Sequence, residues 1–325
     1  MPMTPLRLAL IGCGFIGRRH LENIAKMESL VLRATVDVHE PNAASVADEF
    51  HAAYYTTDPD RVFADPDVNA VIIATYHDSH TPLALRAAAA RKHILIEKPM
   101  ALTVEECRRI SRAVAEAGVV CSVNFKFRFA PAVLCARQAV PNPILTVGQL
   151  AMERMPEGTW VRDPVRGGGL ILATACHVLD MVYFLNRSEP VRVYAESAEG
   201  SDAVSATLRF ANGAVASLAF ADAGENPHSG KWLHQIFDGK RSAVLHDHFR
   251  TVRFSGVELD CFTTPNDLRA DGTWGVLEDF ARAIRTSQPP AITPRDGLRA
   301  TLLAIRILES LETCSPREVR LDDGD

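Results

Sequence analysis

The sequence has no excess of positive charge. Its 35 Lys and Arg are outnumbered by 40 Asp and Glu, for a formal net charge of −5. Nothing in that balance grips nucleic acid or an anionic membrane surface. No CxxC pair occurs. The seven cysteines, Cys13, Cys107, Cys121, Cys135, Cys176, Cys261 and Cys314, are odd in number and widely spaced. That argues for free thiols in a reducing compartment and against a disulfide framework or a zinc site. No apolar run reaches membrane-spanning length. The opening residues lack a basic segment followed by an apolar one, so no signal peptide is expected and a cytoplasmic location is. There is no internal repeat and no low-complexity stretch. What remains is an average composition, 47% hydrophobic and 23% charged over 325 residues. A chain of that length suits two domains of roughly 100–200 residues, each with its own core.

The first third alternates short apolar runs with helix-forming stretches. RLALI (7–11), VLRATVDV (31–38), AVIIA (70–74), HILI (93–96) and 119–123 read as strands. Helices are expected over 15–27, 41–50, 82–90 and 103–117, the last with Thr103 as N-cap, Glu106 as its capping-box partner and Gly118 as its stop. This rhythm implies a parallel, doubly wound α/β sheet, the Rossmann arrangement. After about residue 125 the rhythm changes. Gly167-Gly168-Gly169 precedes an apolar helix running to about 185. Strand-like runs follow at 191–196, 203–210, 214–220, 233–237, 243–245 and 252–254, with Asn212-Gly213 as a hairpin turn. Helices over 274–286 and 294–311 close the chain. The expected fold class is α/β. A Rossmann domain spans residues 1–124. A second α/β domain with an open, mostly antiparallel sheet spans 125–325, and its C-terminal helix is expected to pack back on the first.

Gly12-Cys13-Gly14-Phe15-Ile16-Gly17 is G-x-G-x-x-G between a strand and a helix. Asp37 ends the next strand, 20 residues after Gly17. Three glycines alone fit any strand–helix turn. With the strand, the helix and the acid, they fit a dinucleotide loop. Gly12 makes the turn, Gly14 admits the diphosphate, and Gly17 lets the helix pack on the strand. Asp37 accepts ribose hydroxyls or, alternatively, caps the next helix. A carboxylate there repels a 2′-phosphate, which favours NAD, while His39 and Arg33 keep NADP possible. Glu97-Lys98-Pro99 follows HILI and places a lysine at the C-terminal end of a parallel strand, where Rossmann ligands sit. A solvated lysine is the plainer reading. His177 and Asp180 lie three apart on one helix face, and an imidazole suits the proton half of alcohol oxidation. A histidine satisfied inside a helix interface is the alternative. Cys176 and His177 do not face each other. His246-Asp247-His248 reads as a turn or a solvated edge, and no metal is expected.

Taken together, G-x-G-x-x-G, E-K-P near residue 97 and G-G-G…H-x-x-D near residue 170 resemble the glucose–fructose oxidoreductase / inositol dehydrogenase / MocA (Gfo/Idh/MocA) family over essentially the whole chain. The resemblance implies NAD(P), a sugar or cyclitol substrate, and assembly as a homodimer or homotetramer. The apolar run AVASLAF (214–220) is expected to expose a face for that assembly. It also implies that Gly12, Gly14, Phe15, Ile16, Gly17, Asp37, Thr75, His80, Glu97 and Lys98 meet the cofactor. Lys98 and His177 are the implied catalytic pair. Lys126, Arg154, Trp160, Arg162, His177 and Asp180 are the residues expected to line the substrate, although the second-half cations and the tryptophan also fit a strand edge, surface packing or an oligomer contact. One position departs from the family pattern. Four residues before His177, where the family usually has an aspartate, stands Ala173. Asp180, Asp163 and Glu153 are the candidate replacements, and Lys98 acting as the base is a further alternative. Three functions therefore stay open. One is a sugar or cyclitol dehydrogenase or reductase. The second is a redox-neutral lyase, epimerase or glycosidase working through a transient ketone. The third is a non-catalytic dinucleotide sensor.

Overall fold

Leu8–Ile11 is buried without interruption, as a strand covered on both faces must be. The same holds for Ala70–Ile73. In the computed structural model, which describes residues 4–199, 203–222, 231–254, 256–260 and 269–321, these runs form the centre of a parallel sheet. Cys261 and the acidic end at 322–325 lie outside the described residues. The chain divides into two compact units, residues 1–124 with 276–298 and residues 125–275 with 299–325. Among the described residues, no helix is long and apolar enough to cross a membrane.

In the first unit the strands are β1 (Leu6–Ile11), β2 (Leu30–Val36), β3 (Tyr54–Thr56), β4 (Ala70–Ile73), β5 (His93–Ile96) and β6 (Cys121–Val123). They lie in the order β3-β2-β1-β4-β5-β6, all parallel. This is the doubly wound dinucleotide order. The helices are α1 (Phe15–Ile24), α2 (Glu40–Glu49), α3 (Pro59–Ala64), α4 (His80–Ala89) and α5 (Val104–Ala117). Thr103 caps α5 with both capping-box bonds to Glu106, and Gly118 ends it in the left-handed region at φ 65°. Periodicity alone does not reveal β3, a three-residue edge strand, or the single-turn-scale α3.

In the second unit α6 (Pro131–Ala139) is followed by β7 (Leu145–Ala151). A π-helical turn (Ile171–Ala175) then runs into α7 (Cys176–Asn186). The strands β8 (Pro190–Ser197), β9 (Val204–Phe210), β10 (Val215–Ala221), β11 (Trp232–Phe237), β12 (Ser242–His246), β13 (Thr251–Phe254), β14 (Val257–Asp260) and β15 (Arg317–Glu318) join β7 in one sheet, and α8 (Thr273–Thr286) and α9 (Pro294–Thr313) complete the chain. The described strands order as β14-β13-β12-β11-β7-β10-β9-β8-β15, antiparallel except for β7 on β10. The central strand β7 has no strand-like apolar pattern. Its inward residues are Thr146, Gly148 and Leu150. Gly148 has a packing reason, because a Cβ there would lie 2.8 Å from Leu218 and 3.2 Å from Val178 of α7. The expected apolar outer face of AVASLAF is corrected by strand alternation. Ala216, Leu218 and Phe220 point inward, and Ser217 and Ala219 are the exposed residues.

Arg128 and Asp180 tie α7 to the turn at 126–129. Arg128 Nε and Nη2 both reach the Asp180 carboxylate, at 2.5–3.1 Å, with side-chain exposures of 10% and 2%. Removing one member of such a pair strands the other charge. Asp180→Asn is expected to lose about 3–5 kcal/mol in urea unfolding. A loss under about 1 kcal/mol would show a pair of surface strength only. In the first unit, Gly17→Ala adds a methyl that would lie 2.1 Å from the Gly12 carbonyl oxygen. Alanine's helix preference of about 1 kcal/mol is expected to be overridden, with a net loss of about 1–2 kcal/mol. Thermal unfolding reads this directly, and an unchanged midpoint would refute close packing at this point.

Candidate active site

In the first unit, β1 hands the chain to the glycine loop. Gly12 has φ 98°, and a Cβ on it would lie 2.2 Å from the Ala74 carbonyl oxygen. Only glycine fits. Gly17 is the second close approach and seats α1 on the loop. Gly14 is different, since a Cβ there would meet nothing within 4 Å. It is the N-cap of α1, and no side chain caps that helix. Phe15 and Ile16, at the start of α1, are exposed. The first-turn N–H groups and the positive end of the helix dipole therefore face open space, which suits a diphosphate. Asp37 closes the loop. Its Oδ2 accepts the Cys13 N–H at 2.9 Å, and its Oδ1 accepts the His39 N–H at 2.9 Å. The N-cap of α2 is His39, with no side-chain bond, so Asp37 serves the loop and not the helix. Two N–H bonds leave lone pairs on the carboxylate for ribose hydroxyls. Thr75 lies against Gly12 and receives the Ser79 hydroxyl at 2.6 Å. These residues fit the diphosphate and ribose of a dinucleotide.

β5 ends in Glu97-Lys98-Pro99. Lys98 is half-buried, and Glu97 is 7% exposed. Glu97 Oε1 is 2.7 Å from His20 Nε2 and accepts the Asn124 amide at 2.5 Å, while Oε2 accepts the Lys98 N–H at 3.3 Å. Burial pushes this carboxyl up, but the His20 hydrogen bond and charge, the Lys98 charge and the Asn124 amide outweigh it and hold it at about 2. His80 is 0% exposed, with Nδ1 at 2.9 Å from the Pro99 carbonyl oxygen, and burial favours its neutral form. The expected contact between His80 and the cofactor is thereby corrected. The ring has no exposed surface to offer and instead braces the Lys98-Pro99 segment. His20 and Asn124 are site residues the motifs did not reveal. The available signal was His20, a polar side chain on the face of α1 that also carries Gly17, Leu21 and Ile24.

In the second unit His177 is 8% exposed at the start of α7. Its ring centroid lies 4.8 Å from Phe127, 5.5 Å from Trp232 edge-on and 6.4 Å from Phe125. Phe249 backs Phe127 at 4.9 Å and His234 at 5.2 Å. Burial pushes His234 down to about 3, so it is neutral at working pH. The imidazole of His177 is thus fixed by rigid rings. Ala173, in the π-helical turn, is buried. The structure gives none of the three candidate carboxylates its place. Asp180, also expected to line the substrate, is held by Arg128. Asp163 accepts the N–H groups of Val165 and Arg166, and Glu153 is exposed. Lys126 Nζ lies 2.7 Å from Asp271, and Arg162 Nη2 lies 2.7 Å from Asp222. Burial raises the Asp271 carboxyl, and the Lys126 charge overrides it to leave the group below the usual range. Trp160 and Arg162 share one half-buried turn, and Arg154 is exposed in the segment after β7. His246 ends β12, and Asp247, His248 and Phe249 form a turn at positive φ. Among the described residues no group of three side chains could hold a metal ion.

Known proteins match this architecture along its length. Residues 6–125 match the oxidoreductase family with an NAD-binding Rossmann fold, and residues 142–233 match the GFO/IDH/MocA C-terminal domain. The chain is 30% identical to the 1,5-anhydro-D-fructose reductase of Ensifer adhaerens, covering 96% of this chain and 98% of that protein. It is 26% identical to the myo-inositol 2-dehydrogenase of Thermotoga maritima, covering 98% and 99%. A levoglucosan dehydrogenase solved in complex with NADH and levoglucosan superposes with a TM-score of 0.88 at 25% identity, over 98% of this chain and 100% of that one. The chain belongs to the Gfo/Idh/MocA family and is an NAD-binding oxidoreductase.

Proposed function

We propose that the protein is an NAD-dependent dehydrogenase or reductase for a secondary alcohol, or the corresponding ketone, of a sugar or cyclitol. The observation that carries this reading is in the first unit, where an uncapped α1 N-terminus and Asp37 lie in the same fold as a lysine backed by a buried carboxylate. The names of the relatives support the substrate class. The bound dinucleotide supplies the hydride acceptor or donor. The chain's residues do the rest. The first-turn N–H groups of α1 hold the diphosphate, and Asp37 holds the ribose. Lys98 Nζ is the first unit's group for orienting the substrate oxygen and carrying its proton, and the His177 imidazole is the second unit's group of the same chemistry. Asp37 also supports NAD over NADP. Arg33, the nearby cation that would favour a 2′-phosphate, is paired with Asp65 and Asp67.

Ala173 favours a second reading. In it the alcohol is oxidised to a ketone by the dinucleotide, the neighbouring C–H is acidified for an elimination or epimerisation, and the hydride then returns to the product, so that the cofactor ends in the state in which it began. An absorbance assay for NADH over a panel of sugars and cyclitols separates the two. In the dehydrogenase reading one substrate produces NADH, Lys98→Ala lowers kcat/KM by about 10²–10⁴-fold, and Asp37→Ser raises the KM for NAD by about tenfold and narrows the preference over NADP. Consumption of a substrate with no net NADH, from protein that retains the dinucleotide, supports the redox-neutral reading. Protein that binds dinucleotide but converts nothing refutes both.

A further inference from the structure

Arg137 and Arg187, both in the second unit, pair with no acid among the described residues. Arg137 lies in the last turn of α6, and Arg187 follows the last residue of α7 at φ 52°. Their side chains cross. Arg137 Nε donates to the Phe184 carbonyl oxygen at 3.0 Å, and Arg187 Nη2 donates to the Arg137 carbonyl oxygen at 3.1 Å. The Arg137 guanidinium also lies 4.3 Å from the centroid of the Phe184 ring, and Arg128 lies over the same ring at 5.4 Å. Backbone carbonyls and a ring therefore hold these forks, where an ion pair usually would. The acids closest in the chain are committed elsewhere. Asp180 is taken by Arg128, and Glu189, two positions past Arg187, by Arg299. Burial, and after it the charges of Arg187 and Arg128, hold the Arg137 guanidinium below its ordinary range, so the charges acting on it are positive. The negative ends of α6 and α7 offset about half a charge each, less than the two full charges brought to them.

We propose that Arg137 and Arg187, at the paired ends of α6 and α7, form a binding site for a tetrahedral oxyanion of the phosphate class, taken up free or as the phosphoryl group of a small metabolite. Each guanidinium spends one nitrogen on a carbonyl and keeps the others for a ligand. The forks are fixed in advance, so little side-chain freedom is lost when an anion arrives. A monoanionic carboxylate is filled by one fork. A phosphate has oxygens and charge enough for two. Neither arginine belongs to the dinucleotide loop or to the residues around His177, and the inference is independent of the proposed reaction.

The test is isothermal titration calorimetry of the full-length protein with inorganic phosphate. Ionic strength is held constant with chloride, and saturating NADH occupies the glycine loop. The unaltered protein is expected to bind phosphate saturably. Arg137→Gln and Arg187→Gln are each expected to weaken that binding by about tenfold, the change that losing one charge-assisted contact makes. Arg137→Lys, which keeps the charge and loses the fork, is expected to weaken it by less. Glycerol 3-phosphate separates the two sources of the anion. Tighter binding than phosphate assigns the site to a metabolite's phosphoryl group, and binding no tighter assigns it to the free anion. The absence of saturable binding overturns the proposal. So does an affinity unchanged in both glutamine variants, with circular dichroism showing the fold intact. Acetate binding as tightly as phosphate overturns it too, since one fork then suffices. Should Arg137→Gln fail to fold, Arg187→Gln, at an exposed position, decides alone.

Discussion

The contact between Gly17 and the Gly12 carbonyl is what the first unit hangs on. With no Cβ at position 17, α1 sits directly on the loop that follows β1. That single close approach has three consequences. It aims the uncapped helix start at open space. It keeps the loop where the Cys13 N–H reaches Asp37. It also brings the buried face of α1 to the end of β5, where His20 meets Glu97. A helix lifted by one methyl would loosen the glycine loop and the backing of Glu97 together. This explains physically why a turn and the end of a strand some 80 positions apart belong to one device.

The second unit uses a different means to the same end. The imidazole of His177 lies among ring edges and faces. Phe125, Phe127 and Trp232 surround His177, and the Arg128–Asp180 pair anchors α7 one turn further along. The cations and acids of this unit largely satisfy one another, Lys126 with Asp271 and Arg162 with Asp222.

Most of the fold could be read from the chain, because its signals are local. Continuous apolar runs announced the buried parallel strands, Thr103 and Glu106 announced α5, and Asn212-Gly213 announced the β9–β10 hairpin. β7 could not be read. Its inward positions include Thr146 and Gly148, and it is a strand because β10 and β11 pair with it from both sides. The outward face of β10 was misjudged for a related reason. In AVASLAF small and large apolar residues alternate, and composition alone does not show which set faces in.

The candidate site divides along the same line. The glycine loop, Asp37 and Lys98 could be singled out because turn geometry and strand ends mark them locally, and His177 because of its helix spacing and the family pattern. The departure at Ala173 was legible by comparison with the family pattern. What each charged group pairs with was not. His20 reaches Glu97 across 77 positions, and Arg128 reaches Asp180 across 52. A sequence determines which residues are charged and which segments bury, because both depend on neighbours in the chain. Which buried charge neutralises which is decided only when helices settle on sheets, since an ion pair forms between faces and not between positions.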